Sequence, residues 1–333
     1  MPKPGDAEFG DTEPGNPSPY IGRFAPSPTG PLHAGSLVAA LASYLDARAA
    51  HGQWLLRIED IDPPREIPGA SDLILTQLDA HGLHWDGTAC YQSQRLEYYL
   101  SALKNLAAQN LLFACTCTRE RVRANAGQYD GSCRAHLIQA KDISIAADNA
   151  TPPNNAAAHT STSTRIRTDA HSLIAFDDLI KGPQRVDLHT AGGDFIVRRR
   201  DQLFAYQLAV AVDDAEQNIS HVLRGGDLLD STPRQIFLIN LLDSPATPPR
   251  YGHIPMMVNQ DDQKLSKQHH APSLELGAPG ENLYHALEWL NQSPPQALLG
   301  ANPDEVLDWA INHWDRGQVT SVERKPYDLD KPS

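Results

Sequence analysis

No run of apolar residues in this chain approaches the roughly 20 needed to cross a bilayer, although 41% of its residues are hydrophobic, so a membrane role is not expected. Cysteine is scarce, four in 333 residues, too few and too unevenly placed to read as a disulfide framework. Basic residues are in deficit as well, 28 Lys and Arg against 41 Asp and Glu, for a formal net charge of −13. That balance argues against broad, sequence-blind affinity for nucleic acid, because phosphate binding draws on Lys and Arg; an RNA partner would have to meet a local basic surface. The first residues, Met1 to Pro19, lack the basic start and apolar stretch of a signal peptide, and their Pro, Gly and acidic content reads as a disordered lead-in. There is no internal repeat. What remains is an ordinary cytoplasmic globular composition, with length enough for one large α/β domain plus small appendages.

The order of segments predicts strand, loop, helix, strand at the start: Tyr20 to Ala25, then Ser36 to Ala50 with Leu37, Leu41 and Leu45 four apart, then Gln53 to Ile58. A strand–helix–strand unit of this length implies a parallel pair with a crossover, hence a doubly wound, Rossmann-type α/β fold. Helices are expected at Ser71 to Ala80, Arg95 to Gln109, Thr232 to Leu242, Glu281 to Leu290 and Asp304 to Trp314, and strands at Thr164 to Arg167, Asp194 to Arg198 and His221 to Arg224. Asn149 to Thr164 offers nothing large and apolar to bury and reads as a mobile loop. These segments divide the chain into a lead-in (1–19), two halves of the Rossmann-type domain (20–110 and 191–250), an insertion (111–190, with its mobile loop at 139–164) and a helical C-terminal appendage (251–333).

Two motifs carry chemistry. The run from Arg23 to Ser36, Arg-Phe-Ala-Pro-Ser-Pro-Thr-Gly-Pro-Leu-His-Ala-Gly-Ser, leaves a strand and delivers His33, Gly35 and Ser36 to a helix start. Backbone N–H groups and the positive end of the helix dipole meet there and favour a triphosphate, with Gly35 sparing the side chain that would obstruct close approach. Far away in sequence, Lys264-Leu265-Ser266-Lys267-Gln268 puts two ammonium groups on one short loop. When a nucleophile attacks the α-phosphate of ATP, charge builds on the departing pyrophosphate, and a lysine placed beside it stabilises the transition state; Lys267 is assigned that role, with His33 as phosphate donor. Either motif alone is an ordinary turn or solvated loop, and the weight lies in their pairing.

Together they resemble the two signatures of the class I aminoacyl-tRNA synthetases, a His-x-Gly-His loop and a Lys-Met-Ser-Lys-Ser loop. The glutamyl branch is the nearer match, through Arg23 to Gly35, Arg57-Ile58-Glu59-Asp60-Ile61-Asp62 and Leu223-Arg224-Gly225-Gly226-Asp227-Leu228-Leu229; within it the chain is most similar to the short glutamyl-Q paralogues. Ser36 stands where the second histidine usually does, and Gln268 where serine does. The resemblance implies ATP with Mg²⁺ and L-glutamate as substrates, with ATP held by His33, Gly35, Ser36, Lys264, Ser266 and Lys267. For the amino acid it implies Arg23, Ala25, Ser27, Glu59, Tyr206 and Arg224. That set suits glutamate: two arginines for two carboxylates, helped by the Tyr206 hydroxyl, and Glu59 with Ser27 for the ammonium. Which arginine takes which carboxylate is left open.

Cys115-Thr116-Cys117 and Cys133 supply three thiolates to a site where zinc wants four ligands. The resemblance points to Tyr129 as the fourth; His136 is the chemically ordinary alternative. One structural Zn²⁺ is therefore expected, pinning a small insertion. The stretch after Lys267 has room for a small helical appendage and not for an anticodon-binding domain, and the glutamyl-Q paralogues resolve this by bringing the anticodon loop of tRNA(Asp) to the catalytic site and esterifying its queuosine. Arg119, Arg121, Arg123 and Arg134, with Arg198 to Arg200, are candidate RNA contacts. A truncated glutamyl-tRNA synthetase charging an acceptor end and a non-catalytic RNA-binding paralogue are the competing readings. A monomer is expected.

Overall fold

The structure is a computed structural model that describes residues 19–125, 127–144, 162–168, 172–242, 244, 246–259, 262–264, 274 and 276–327. In chain order its first half comprises β1 (Ile21–Phe24), α1 (Ala34–Ala49), β2 (Gln53–Ile58), α2 (Ala70–Ala80), β3 (Cys90–Tyr91), α3 (Leu96–Ala108), β4 (Leu112–Cys115), α4 (Arg119–Ala124) and β5 (Ser163–Ile166). The second half comprises β6 (Leu173–Asp178), β7 (Gly182–Asp187), β8 (Phe195–Arg198), α5 (Tyr206–Glu216), β9 (His221–Gly225), α6 (Thr232–Leu241), β10 (Arg250–Ile254), β11 (Met256–Val258), α7 (Pro279–Trp289), α8 (Pro303–His313) and β12 (Arg324–Pro326).

β2 pairs in parallel with both β1 and β3, and β9 pairs in parallel with β10. The two pieces adjoin where the Ser220 amide donates to the Ile21 carbonyl at 2.9 Å, laying β9 beside β1. The resulting order, β3-β2-β1-β9-β10, reverses direction between β1 and β9: from β1 the chain moves outward through α1 to β2, and from β9 it moves the other way through α6 to β10. In such sheets the crevice beyond the strand ends at the reversal is where ligands bind.

Strand alternation sorts side chains onto two cores. Trp54, Leu56 and Ile58 of β2 join α1, α2, α7 and α8 on one face, while Leu55 packs with the cluster built from α3, α5 and α6 on the other. Arg57, next on the Leu55 side, is thereby driven fully inside toward α5. The expected helices and strands are present, with ends shifted by a residue or a few, as at α7, which begins at Pro279 and not Glu281. The antiparallel hairpin β6–β7 and the short parallel pair β11–β12 were not anticipated. β4 and β5, from the expected insertion, form a small antiparallel sheet with β8, from the segment that follows it. Ser163 and Thr164, placed by composition in the mobile loop, begin β5; residues 1–18 and 145–161, which hold most of that loop and the lead-in, lie outside the described residues. Cys90, on edge strand β3, is half-buried.

Candidate functional site

A cavity of about 570 Å³ opens beyond the ends of β1, β2 and β9. Arg23, Ala25, Ser27, His33, Gly35, Ser36, Glu59, Tyr206, Arg224 and Lys264 all line it. The fold explains the convergence: Arg23 is the penultimate residue of β1, Arg224 of β9, Glu59 follows β2, and Tyr206 opens α5. Ser266 and Lys267 lie outside the described residues.

On one side the cavity meets the start of α1. His33 is the N-cap of this 16-residue helix, and its Nδ1 accepts from the Ser36 amide at 3.3 Å. A ring accepting at Nδ1 carries its proton on Nε2, the tautomer that donates to an oxyanion. A Cβ at Gly35 would press to 3.1 Å from the His33 ring, so the glycine also makes room for the histidine. The Lys264 ammonium reaches the Asp227 carboxylate at 2.5 Å, which ties the start of the lysine loop to the turn after β9.

The opposite side is built on paired carboxylates that the sequence reading did not single out. Asp214 of α5 accepts from Arg23 Nε and Nη2, both at 3.2 Å, and from Arg57 Nη2 at 2.7 Å. Its neighbour Asp213 accepts from Arg95 at 2.6 Å, Gln92 at 2.7 Å and the Tyr99 hydroxyl at 2.8 Å. With Glu59, whose carboxylate stands 3.9 Å from Arg57, three guanidinium groups face three carboxylates in the interior. Burial pushes the Glu59 carboxyl up to about 7, against the pull of Arg57 and Arg23. Burial, reinforced by Glu59, likewise raises the Tyr206 phenol. A sequence signal for the pair did exist: Val210-Ala211-Val212-Asp213-Asp214 ends an apolar helix on two acids that have no wet face to occupy.

Arg224 is held by a second set of groups not foreseen. Its Nε donates to His253 Nε2 at 3.1 Å and its Nη2 to the Thr232 hydroxyl at 2.7 Å and the Leu228 carbonyl at 3.3 Å, while Nη1 is buried without a hydrogen-bond partner among the described residues. His253 Nδ1 meets Asp178 at 2.5 Å, and both side chains are fully buried. Burial lowers the His253 pKa despite Asp178, so the ring is neutral, with its proton on Nδ1 facing Asp178 and a lone pair on Nε2 facing Arg224. A buried guanidinium donor left without a partner, on a residue that lines the cavity, is a ready partner for a ligand carboxylate.

The cysteines gather in the insertion, at the end of β4 and the turn beyond α4. The Sγ atoms of Cys115, Cys117 and Cys133 lie within 4.8 Å of one another, and those of Cys117 and Cys133 are 3.7 Å apart. Tetrahedral zinc with sulfur at about 2.3 Å would separate its sulfurs by about 3.8 Å, so the three thiols fit that ion. The Tyr129 hydroxyl accepts from the Cys133 amide at 2.6 Å, inside the cluster, whereas no nitrogen of His136 joins the group. Burial alone would raise the Cys133 thiol, but hydrogen bonds from the Thr116 backbone, Tyr129, Cys117 and Ser132 outweigh it and bring it down to about 6.

No helix among the described residues is long and apolar enough to cross a membrane. The family model for the catalytic domain of class I tRNA synthetases (E and Q) matches residues 21–291. Proteins named glutamyl-Q tRNA(Asp) synthetase are similar over most of their length: that of Ectopseudomonas mendocina is 48% identical over 303 residues, 90% of this chain and 95% of its own. The Cronobacter sakazakii protein of that name is 48% identical over 304 residues, 91% and 95% of the two chains. In three dimensions the glutamate-tRNA synthetase of Elizabethkingia anophelis superposes with a TM-score of 0.71 at 22% identity, covering 94% of this chain and 69% of that one, a likeness of fold. A crevice at the sheet's reversal point, framed by the phosphate-type helix start and by paired arginines, thus occurs in a sequence that belongs to the class I tRNA synthetases of the glutamate and glutamine group.

Proposed function

We propose that this chain activates L-glutamate with ATP and transfers it to queuosine in the anticodon of tRNA(Asp). The observation that carries the first step is the single crevice in which a donating His33 at a helix start faces two braced arginines and Glu59. The acceptor rests on the names of relatives 48% identical over nine-tenths of the chain.

Arg23 and Arg224 divide the two carboxylates of glutamate, with Tyr206 assisting, and Glu59 and Ser27 hold its ammonium beside Ala25. The α-carboxylate oxygen attacks the α-phosphorus of ATP in line, and the bond to the bridging oxygen of pyrophosphate breaks. His33 Nε2, the N-terminus of α1 and the lysine loop, with Lys264 at its base and Ser266 and Lys267 beyond, share the triphosphate charge with the Mg²⁺ that accompanies ATP. A queuosine hydroxyl then attacks the activated carbonyl and AMP leaves. Cys115, Cys117, Cys133 and Tyr129 are the proposed ligands of a structural Zn²⁺, whose positive charge would favour the thiolates and the phenolate.

The pH dependence of glutamate binding follows from Glu59. The ammonium needs the ionised carboxylate, and a carboxyl at about 7 is mostly protonated below neutrality. The KM for glutamate is therefore expected to rise by up to about tenfold per pH unit as pH falls from about 7 to about 5.5 and to level off above about 8. Glu59→Gln should raise KM at every pH and remove the slope; a slope that survives the substitution would assign the titration to another group.

The acceptor is tested by incubating the protein with labelled glutamate, ATP and tRNA(Asp) that bears or lacks queuosine, then digesting the RNA to nucleosides. Label is expected in the queuosine nucleoside alone. Label on the terminal adenosine would move the enzyme to acceptor-end charging.

A further inference from the structure

Seven arginines of the insertion and its flanks are candidate RNA contacts by sequence, and the structure separates them. Arg121 pairs with Asp130 at 2.8 Å and Arg134 with Asp194 at 2.7 Å, while Arg198 is buried against the carbonyls of Gln202 and Ser144. Those three are committed to the fold. Arg119, Arg123, Arg199 and Arg200 line one cavity of about 640 Å³ beside Cys117, together with Arg165; of these, Arg199 is itself paired with Asp201 at 2.6 Å and with Asp62 at 2.9 Å. The cavity brings together residues far apart in sequence because Arg200 donates to the carbonyls of Thr116 and Cys117, clamping the end of β8 to the cysteine turn just before α4.

Two features make this concavity an anion site. Asp201 is its lone acidic lining residue against five arginines, in a chain whose net charge is −13, so the local field opposes the global one. Arg119 and Arg123 are solvent-exposed and have no carboxylate partner among the described residues. Position adds a third argument. Arg199, on the cavity wall, reaches Asp62 at 2.9 Å, and Asp62 lies three residues beyond Glu59 in the glutamate crevice. The Arg199–Asp62 pair thus connects the arginine-lined wall to the segment that follows Glu59.

We propose that this arginine-lined cavity binds backbone phosphates of the RNA acceptor, with Arg119 and Arg123 as the exposed phosphate ligands. The inference rests on the reading above that the chain acts on RNA, and it assigns the cysteine cluster a use: holding the turn on which the site is built. Guanidinium groups suit phosphate because their paired donors match its oxygens, and such interactions carry affinity and register without reading bases.

The test compares tRNA(Asp) binding by filter retention across a salt series for the parent protein, Arg119→Ala/Arg123→Ala and Arg185→Glu. The last variant makes the same two-unit change in net charge on the hairpin strand β7. The double variant should bind about tenfold or more weakly, with a log–log salt slope shallower by about 0.7 for each phosphate no longer neutralised, while its glutamate-dependent ATP–pyrophosphate exchange and zinc content stay at parental levels. Arg185→Glu should leave affinity and slope near those of the parent. Equal binding by the double variant, an equal weakening in Arg185→Glu, or a matching fall in exchange would each overturn the proposal. Filter retention requires no transfer, so a wrong acceptor nucleoside would show in the labelling experiment and leave this result standing.

Discussion

Asp214→Asn is expected to destabilise the protein by about 3–5 kcal/mol, the usual cost of removing one partner from a buried ion pair. Asp214 is fully buried and accepts three hydrogen bonds from Arg23 and Arg57, which are themselves 4% and 0% exposed. Asparagine keeps the volume but removes the charge, and one of its two terminal atoms becomes a donor facing a guanidinium that also donates. Two positive groups then remain inside with their main counter-charge gone, and Asp213 is too occupied with Arg95, Gln92 and Tyr99 to replace it. The check is a urea titration, in which the midpoint should fall by more than about 1 M with little change in slope. An unchanged midpoint would mean that the network does not hold the sheet to α5. Any variant that remains folded should also show a raised KM for glutamate, because Arg23 loses its brace.

Asp178→Asn should act on the site more than on the fold. Oδ1 of Asp178 accepts from the amides of Ile180 at 3.0 Å and Lys181 at 2.8 Å, so the asparagine oxygen would take that place and its NH₂ would turn toward His253 Nδ1. A donor would then meet a donor, and the ring would move its proton to Nε2. That nitrogen now accepts from Arg224 at 3.1 Å and lies 3.0 Å from the Thr232 hydroxyl; protonated, it would repel the guanidinium. Arg224 would lose the contact that fixes its guanidinium at the cavity wall. The expected outcome is a rise of about 10- to 100-fold in the KM for glutamate, equivalent to one buried charged hydrogen bond, with the KM for ATP close to that of the parent. Equal effects on both substrates would indicate a general loss of structure, and no effect would show that His253 does not set the position of Arg224.

The first signature segment was legible because its pattern is local: a Pro- and Gly-rich turn into a helix start, with His33 as the N-cap of α1. Strand–helix–strand spacing likewise carried the parallel sheet, and Arg23, Glu59 and Arg224 fall at strand ends where a Rossmann-type fold presents its ligand residues. The braces behind them were not legible. Asp214 meets Arg23 across 191 residues and Asp178 meets His253 across 75, and such pairings depend on which face of a strand abuts which helix. The β6–β7 hairpin that carries Asp178 was missed because β6 turns every second residue inward, Ile174 buried and Leu173 exposed, while Leu-Ile-Ala-Phe-Asp-Asp does not alternate apolar with polar. Gly35 shows the same limit on a small scale, since its close approach to the His33 ring is not written in the local sequence.

ATP–pyrophosphate exchange with the purified protein and no RNA shows whether the crevice between β1 and β9 makes an adenylate from glutamate. Exchange is predicted with L-glutamate and at most a small fraction of it with L-glutamine, which lacks the second carboxylate that the paired arginines require. Absence of exchange with glutamate, or equal exchange with glutamine, would contradict the account.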